Sequence, residues 1–191
     1  MKEAYLLTGP FEPTNEGYAV AKMAGIKLTE KINAQFGKPF VSCLPPNIYG
    51  PRDHFDPERG HVMAALLRRF HEALTSDAPD ISIWGTGAAY REFLHAHDLA
   101  DAVLFLLEHY NDKEPINVGT GKDISIRDLA YLLKDIIGFK GEIVFDASKP
   151  DGMPRKLLDT SKISALGWTP RIGLREGIKQ TYEWYVQNLA H

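Results

Sequence analysis

The chain has 191 residues, of which 44% are hydrophobic and 25% are charged, a composition typical of a globular protein with one domain or slightly more and unlike that of a disordered or fibrous chain. Its formal net charge of −3 gives no support to general electrostatic binding of nucleic acid. The single cysteine, Cys43, excludes an internal disulfide and a four-cysteine zinc site. Because no apolar run approaches about 18 residues and the first residues lack the apolar core of a signal peptide, a cytoplasmic protein without a membrane span is expected.

Helices and strands are predicted to alternate along the chain after an opening loop over residues 1–14. In chain order the predicted elements are a helix over 15–35, a strand over 40–44, a helix over 61–74, strands over 81–84 and 91–94, a helix ending near 110, a strand over 115–118, a helix that follows residue 125 and ends near 137, a strand over 142–145, a short helix from 161 and a last helix over 174–189. This alternation indicates an α/β fold built on a parallel sheet.

The first helix and strand are expected to belong to the interior of a sheet. The helix carries an apolar stripe at every fourth position, formed by Val20, Ala24, Leu28, Ile32 and Phe36. The strand over 40–44 is a nearly continuous apolar run, the pattern of a strand buried on both faces. Since a lone helix–strand pair cannot cover its own apolar surface, the sequence is expected to begin in the middle of a sheet. Pro-Pro-Asn follows the strand at its carboxyl end, the edge at which open α/β sheets bind ligands.

Two helix starts carry capping signals. His97 and Asp98 are predicted to cap the helix that ends near 110, and Ser125 is predicted to cap the next helix with Asp128 as its capping-box partner. The last helix is expected to face the core with the apolar and aromatic side chains of Leu174, Ile178, Tyr182, Tyr185 and Leu189.

Tyr18 and Lys22 form the first candidate catalytic pair. They are four residues apart in the predicted helix and therefore share one face. An ammonium group near a phenol favours the phenolate and lowers the pKa of the tyrosine, which makes tyrosine a workable general acid near neutral pH. The same spacing occurs in ordinary surface pairs. The position of this helix before an apolar strand and a Pro-Pro-Asn loop favours the catalytic interpretation.

Seven sequence blocks carry a family resemblance from about residue 10 to the C-terminus. They are EPTNEGYAVAKMAGIKL, PPNIYGPRDHF, HVMAALLRRFHEA, IWGTG, REFLHAHDLADAV, INVGTG and FDASKPDGMPRKLLD. The chain resembles the extended short-chain dehydrogenase/reductase superfamily, also called the NAD-dependent epimerase/dehydratase family. The blocks around His61, Arg69 and PDGMPRKLLD are similar to its GDP-L-fucose synthase branch.

The resemblance implies a fold and two regions. Residues 1–50 would be part of a Rossmann domain, a doubly wound parallel sheet that binds NADP. Residues 51–191 would form mainly the smaller α/β domain that binds a GDP-sugar, with some segments returning to the Rossmann sheet. The implied reaction is the NADPH-dependent 3,5-epimerisation and 4-reduction of GDP-4-keto-6-deoxy-D-mannose. The implied assembly is a homodimer through the Tyr18 helix, with no nucleic acid or membrane partner.

The resemblance also assigns catalytic and cofactor roles to individual residues. Tyr18 would protonate the C4 oxygen, while Lys22 would lower the pKa of Tyr18 and hold the nicotinamide ribose. His61 would be the acid of the epimerisation and would contact the cofactor. The residues expected to border the nicotinamide are Pro45, Pro46, Asn47 and Ile48.

The resemblance assigns a second set of residues to the GDP-sugar, namely Arg69, Trp84, Arg91, Asp151 and Lys156. Two arginines suit a diphosphate because each presents paired donors, and Trp84 offers a flat surface to a base or ribose. Each residue also has an ordinary structural interpretation. His61 could cap a helix or face solvent, the arginines could lie on a solvated helix face, and Trp84 could pack in the core.

The sequence departs from the family pattern at the dinucleotide site. It contains no GxxGxxG turn, the motif that holds the pyrophosphate. The family's serine partner of the tyrosine and its cysteine base precede the matched region, and Cys43 falls on a different predicted strand. Little turnover by this chain is therefore expected. Two alternatives stay open, another nucleotide-sugar epimerase or 4,6-dehydratase that retains NAD, and a non-catalytic fragment that binds nucleotide sugars.

Overall fold

Helices and strands alternate in residues 1–56 and 60–190, the part of the chain that the computed structural model describes. The helices of this part are α1 (Glu16–Phe36), α2 (Val62–Thr75), α3 (Ala96–His109), α4 (Ile126–Ile137), α5 (Ser161–Ala165) and α6 (Leu174–Asn188). Its strands are β1 (Cys43–Leu44), β2 (Asn47–Tyr49), β3 (Asp80–Trp84), β4 (Tyr90–His95), β5 (Ile116–Asn117), β6 (Asp123–Ser125), β7 (Glu142–Asp146) and β8 (Arg155–Lys156). Two 3₁₀ turns, Glu3–Tyr5 and Pro13–Asn15, occupy the predicted opening loop.

The strands form three small sheets in which parallel pairing dominates. β1 pairs with β5 and β3 pairs with β7, both in parallel. β4 is the centre of the third sheet, parallel to β2 and β8 and antiparallel to β6. The expected α/β fold with parallel sheets is therefore confirmed. Asn47, expected in a loop, lies instead in β2, where it pairs with Phe93.

Two apolar cores lie on these sheets. The larger one packs α2, α4 and α6 against β3 and β4, and its fully buried side chains include Phe70, Leu133 and Ile178. The smaller one packs α3 and α5 against β5 and contains Leu106 and Ile163. One side of α2 and one side of α4 are apolar and face the larger core. At the end of α6, however, Leu189 is 50% exposed, so its predicted inward position is wrong.

The region around α1 is the largest difference from expectation. Leu28 and Phe36 are each 61% exposed, and within α1 the one buried side chain that the structure describes belongs to Asn33. The Asn33 side chain binds both the N–H and the C=O of Phe40. Phe40 therefore pairs with a side chain and not with a neighbouring strand, and β1 comprises only Cys43–Leu44. The expected five-residue strand, buried on both faces, is thus wrong.

The helix caps confirm one expectation and correct another. The Ser125 hydroxyl accepts a hydrogen bond from the Asp128 N–H at 2.9 Å, as predicted. The cap of α3 is His95, whose Nδ1 accepts from the His97 N–H. Asp98 instead accepts hydrogen bonds from two N–H groups in the segment before α6. The cap is His95 because β4 extends to this residue and α3 begins directly after it, at Ala96.

Candidate functional site

A cleft of about 870 Å³ opens where α2, β3, β4, the start of α4 and the loop after β7 meet. Its apolar lining consists of Val62, Ala65, Leu66, Ile83 and Ile126. Its remaining lining residues, which carry polar atoms, are Arg69, Glu72, Trp84, Arg91 and Asp151. The apolar residues belong to the inner sides of amphipathic elements, so the same periodicity that builds the core also builds the floor of the cleft.

Arg69 projects into the cleft from α2. Its guanidinium donates a hydrogen bond to the backbone carbonyl of Ser82 on β3. Partial burial lowers the pKa of Arg69, yet an arginine keeps its positive charge in proteins. This hydrogen bond fixes the position of the Arg69 guanidinium in the cleft without a ligand.

Arg91 supplies the second cation, from the central strand β4. Its Nη1 donates hydrogen bonds to the carbonyls of Tyr90 and Met153, at 2.7 and 2.6 Å. Burial lowers its pKa, while nearby Asp151 acts in the opposite direction. Because Nη1 is bound to protein carbonyls, the remaining guanidinium N–H groups are the ones available to a ligand.

Trp84 lies at the end of β3 and is 69% exposed. The alternation of β3 explains this, since Ile81 and Ile83 point into the core, and the alternate residues Asp80, Ser82 and Trp84 are exposed. The Lys149 ammonium lies 5.9 Å from the centre of the indole, within range of a cation–π interaction. A large exposed aromatic side chain at a cleft offers a stacking surface, and this exposure contradicts the core-packing interpretation.

Asp151 joins the cleft from the loop after β7. Its two carboxylate oxygens accept hydrogen bonds from the N–H and the hydroxyl of Thr86, each at 2.7 Å. The Thr86 hydroxyl, followed by the Thr86 N–H, lowers the pKa of this carboxyl. The loop is thereby attached to the turn that follows Trp84.

Two further predicted residues lie next to the cleft. Lys156 is exposed on β8, where it pairs in register with Arg91. His61 is exposed and occupies the N-cap position of α2, one residue before Val62. Its side chain forms no capping hydrogen bond within the described part of the chain. The capping interpretation of His61 is therefore wrong.

The predicted catalytic and cofactor residues do not line this cleft. Tyr18 is 61% exposed at the start of α1, and the Lys22 ammonium lies 5.5 Å from the centre of its ring. Pro45 and Pro46 connect β1 to β2, and in β2 the Asn47 side chain donates to the Glu92 carbonyl at 2.8 Å. Ile48 follows in the same strand, packed against the smaller core. The structure thus brings together four of the predicted ligand residues and leaves the catalytic pair on a separate surface.

Glu92 is the residue that sequence reasoning missed. Although it is ionisable it is fully buried, in β4 next to Arg91. One carboxylate oxygen accepts from the N–H groups of Thr120 and Gly121, and the other accepts from the Leu158 N–H. The turn at 119–121 is therefore held by a carboxylate. The available signal was a glutamate directly before the apolar pair Phe93 and Leu94 in a predicted strand.

Neither a metal-binding cluster nor a membrane-spanning helix is found in the part of the chain that the structure describes. Residues 1–56 and 60–190 contain no group of three or more His, Cys, Asp or Glu side chains arranged to hold a metal ion. Within the same residues, every helix is too short or too polar to cross a membrane.

Comparison with known proteins identifies relatives of this chain. The model of the NAD dependent epimerase/dehydratase family matches residues 1–119. The chain is 51% identical over 189 residues to GDP-L-fucose synthase 1 of Arabidopsis thaliana, covering 99% of this chain and 58% of that protein. It is 50% identical over 197 residues to GDP-L-fucose synthase of Escherichia coli K12, covering 98% and 61%.

A solved structure agrees with this result. It is a GDP-L-fucose synthetase from Naegleria fowleri bound to NADP, with a TM-score of 0.90, 33% sequence identity, and coverage of 100% of this chain and 61% of that one. The chain thus spans 58–61% of the length of these relatives. The expected resemblance is confirmed, and the chain belongs to the NAD-dependent epimerase/dehydratase family.

Proposed function

We propose that this chain forms the nucleotide-sugar-binding part of an NADPH-dependent epimerase/reductase that converts GDP-4-keto-6-deoxy-D-mannose to GDP-L-fucose. The observation that carries the proposal is the cleft, in which Arg69, Trp84, Arg91 and Asp151 converge from four separate elements. Its volume of about 870 Å³ falls in the range usual for small-molecule sites. Relatives named GDP-L-fucose synthase, at 50–51% identity, support GDP-sugar as the ligand.

The charges and shapes of the cleft residues support assigning different residues to the diphosphate and to the base of a nucleotide sugar. Arg69 and Arg91 are the cations that would bind the diphosphate, because guanidinium groups donate paired hydrogen bonds to phosphate oxygens. Trp84, exposed at one side, would stack on the guanine base. Lys156 pairs with Arg91 in the sheet and would add positive charge at the rim. In this proposal residues 51–191 are mainly the substrate domain.

The cofactor proposal rests on residues 1–50, as part of an NADP-binding domain. β1 and β5 are parallel, and Pro45 follows the carboxyl end of β1, the edge where parallel sheets bind dinucleotides. Exposed Tyr18 with the Lys22 ammonium near its ring fits the nicotinamide end of such a ligand. When bound, NADPH supplies the hydride for reduction at C4.

The chain's own residues would handle the protons of the reaction. The Tyr18 phenol would donate a proton to the C4 oxygen, and the Lys22 ammonium would stabilise the resulting phenolate. His61, exposed at the start of α2, would donate a proton during epimerisation at C3 and C5, because an imidazole can carry and release a proton near neutral pH. Pro46, Asn47 and Ile48 would border the nicotinamide together with Pro45.

We also propose that the protein is a homodimer assembled through α1. This helix presents Val20, Leu28 and Phe36 to the surface, at 47%, 61% and 61% exposure. A row of exposed apolar side chains on one helix is typical of a protein–protein contact. A second copy of α1 would cover this row by pairing the two helices.

The proposal is tested by calorimetric titration with GDP-mannose, a stable stand-in for the substrate, and with NADPH in parallel. We expect GDP-mannose to bind, and Arg91→Ala to weaken its affinity by about ten- to hundredfold, since a hydrogen bond to a charged group contributes about 1.5–3 kcal/mol. Arg175→Ala is the matched control, because Arg175 lies on α6 in an exposed ion pair with Asp135. Equal weakening by both substitutions, or no binding by the unchanged protein, would contradict the proposal.

Turnover is a separate test of the cofactor half. Because the sequence contains no GxxGxxG turn, we expect this chain to oxidise NADPH very slowly with GDP-4-keto-6-deoxymannose. Oxidation at an ordinary enzymatic rate would contradict this expectation and would leave the substrate assignment standing.

A further inference from the structure

The segment over residues 147–153, which we call the strap, connects β7 to β8 and passes the mouth of the cleft. Its first end is fixed by Asp146. The Asp146 side chain accepts hydrogen bonds from the N–H and hydroxyl of Ser148, and its carbonyl accepts from the Lys149 N–H. The same carbonyl accepts from the Gly85 N–H, so the start of the strap and the end of β3 share one anchor.

The far end of the strap is fixed to β4. The Met153 carbonyl accepts from Arg91 Nη1 at 2.6 Å, and the Pro154 carbonyl accepts from the Tyr90 N–H at 2.8 Å. Beyond it, Arg155 enters β8 and continues the pairing with β4. Between these two ends most residues of the strap are exposed. A contact of its own is therefore needed to hold the strap in one position.

That contact is the pair formed by Thr86 and Asp151. Thr86 is exposed and offers both its N–H and its hydroxyl to the carboxylate, each at 2.7 Å. The approach depends on Gly85, which has a φ of +82°, because a Cβ atom there would collide with the Asp151 carboxylate. The absence of a side chain at Gly85 therefore serves the contact between strap and turn.

The Thr86–Asp151 pair lies next to two side chains at the cleft, Trp84 and Lys149. Trp84 precedes Gly85 directly, and Lys149, in the strap, places its ammonium 5.9 Å from the centre of the indole. Both oxygens of Asp151 are bound to Thr86. The carboxylate therefore joins the strap to the turn after Trp84, in addition to lining the cleft.

We propose that Thr86 and Asp151 are positioning residues that latch the strap, so that Lys149 stays beside Trp84 and the Met153 carbonyl stays on Arg91 in the arrangement that binds the nucleotide. This inference rests on the proposed function, because GDP is the ligand whose affinity the latch sets. Thr86 thereby gains a role in nucleotide affinity, and Asp151 gains a positioning role beside its proposed place among the ligand residues.

The test uses three variants of the full chain and GDP as the probe. Thr86→Val removes the hydroxyl at nearly constant shape, Asp151→Ala removes the acceptor, and Thr86→Ser keeps the hydroxyl as the conservative rescue. We expect the first two to weaken calorimetric GDP affinity about five- to tenfold, as expected for partly exposed hydrogen bonds to a charged group, and Thr86→Ser to stay within about twofold of the unchanged chain. Thr29→Val is the control, because the Thr29 hydroxyl bonds only within α1, to Gly25.

A second readout does not need a ligand. Amide hydrogen exchange at Thr86, measured by NMR, is expected to accelerate in Asp151→Ala and to remain unchanged in Thr29→Val. Iodide quenching is expected to change at Trp84, the most exposed tryptophan among the described residues. Faster exchange at Thr86 with unaltered GDP affinity would overturn the positioning role. Unaltered exchange would overturn the latch itself, whereas failure of the unchanged chain to bind GDP would overturn the proposed function.

Discussion

The helices α1 and α4 both carry apolar side chains at helical spacing, but their surroundings are opposite. In α4, Leu129 and Leu133 are fully buried between α2, α6 and the sheet. In α1, Leu28 is 61% exposed, although it belongs to the apolar stripe of that helix. The comparison shows that an apolar stripe identifies the face of a helix that needs a packing partner. It does not identify the partner, which can be another element of the same chain or a second molecule.

The largest expected effect is on folding stability and separates the two helices. We expect Leu133→Ala to lower the free energy of unfolding by about 2–5 kcal/mol, because it opens a cavity in a close-packed core. At a protein concentration low enough to dissociate the proposed dimer, Leu28→Ala should change it by no more than about 0.5 kcal/mol, since the side chain is then exposed to water. Urea denaturation of both variants checks this, and equal losses would contradict the difference in burial.

Glu92 extends the comparison to polar groups. Replacing it with Ala leaves three N–H groups, at Thr120, Gly121 and Leu158, without their acceptor, and each unsatisfied buried group costs about 1–3 kcal/mol. We therefore expect a loss of several kcal/mol or failure to fold, and a smaller loss for Glu92→Gln, whose amide oxygen still accepts. Glu142→Gln, at an exposed position of β7, is the control. Full stability of Glu92→Ala would show that these contacts contribute little.

The buried His95 predicts a pH dependence of stability. Burial, and then His97 at a ring distance of 4.9 Å, lowers the pKa of His95 in the folded protein, while Asp98 opposes this. Because the unfolded chain then binds the proton more readily, stability should fall as the pH drops below about 6.5. His95→Asn keeps an acceptor at the N-cap of α3 and removes the titration. Urea midpoints between pH 8 and 5 should therefore decline less in this variant, and identical slopes would contradict the assignment.

A substitution on α1 is expected to have the smallest effect on folding stability and a large effect on the oligomeric state. Leu28→Glu should convert the proposed dimer to a monomer in light scattering, because a charge would be placed in the covered row. Leu107→Glu is a suitable control, since Leu107 is 67% exposed on α3. Dissociation by Leu107→Glu and not by Leu28→Glu would place the contact on α3 instead.

Sequence reasoning predicted those features that depend on local pattern. The helices follow from apolar periodicity, and the cap of α4 follows from Ser125 and Asp128. Family resemblance, and not periodicity, singled out Arg69 and Arg91.

The parts that were not predicted depend on distant partners. β6 and β8 are only three and two residues long, too short for a pattern, and they exist because β4 lies beside them. The partners of Glu92 and Asp151 are separated from them by 28 to 66 residues in the chain. No local spacing contains that information.

The most direct test of the central claim is a crystal structure of this chain with GDP-mannose. We predict the diphosphate between Arg69 and Arg91 and the base against Trp84, with the strap in its latched position. Nucleotide bound elsewhere, for example in the smaller groove of about 450 Å³ beside Lys122 and Arg171, would contradict the assignment of the cleft.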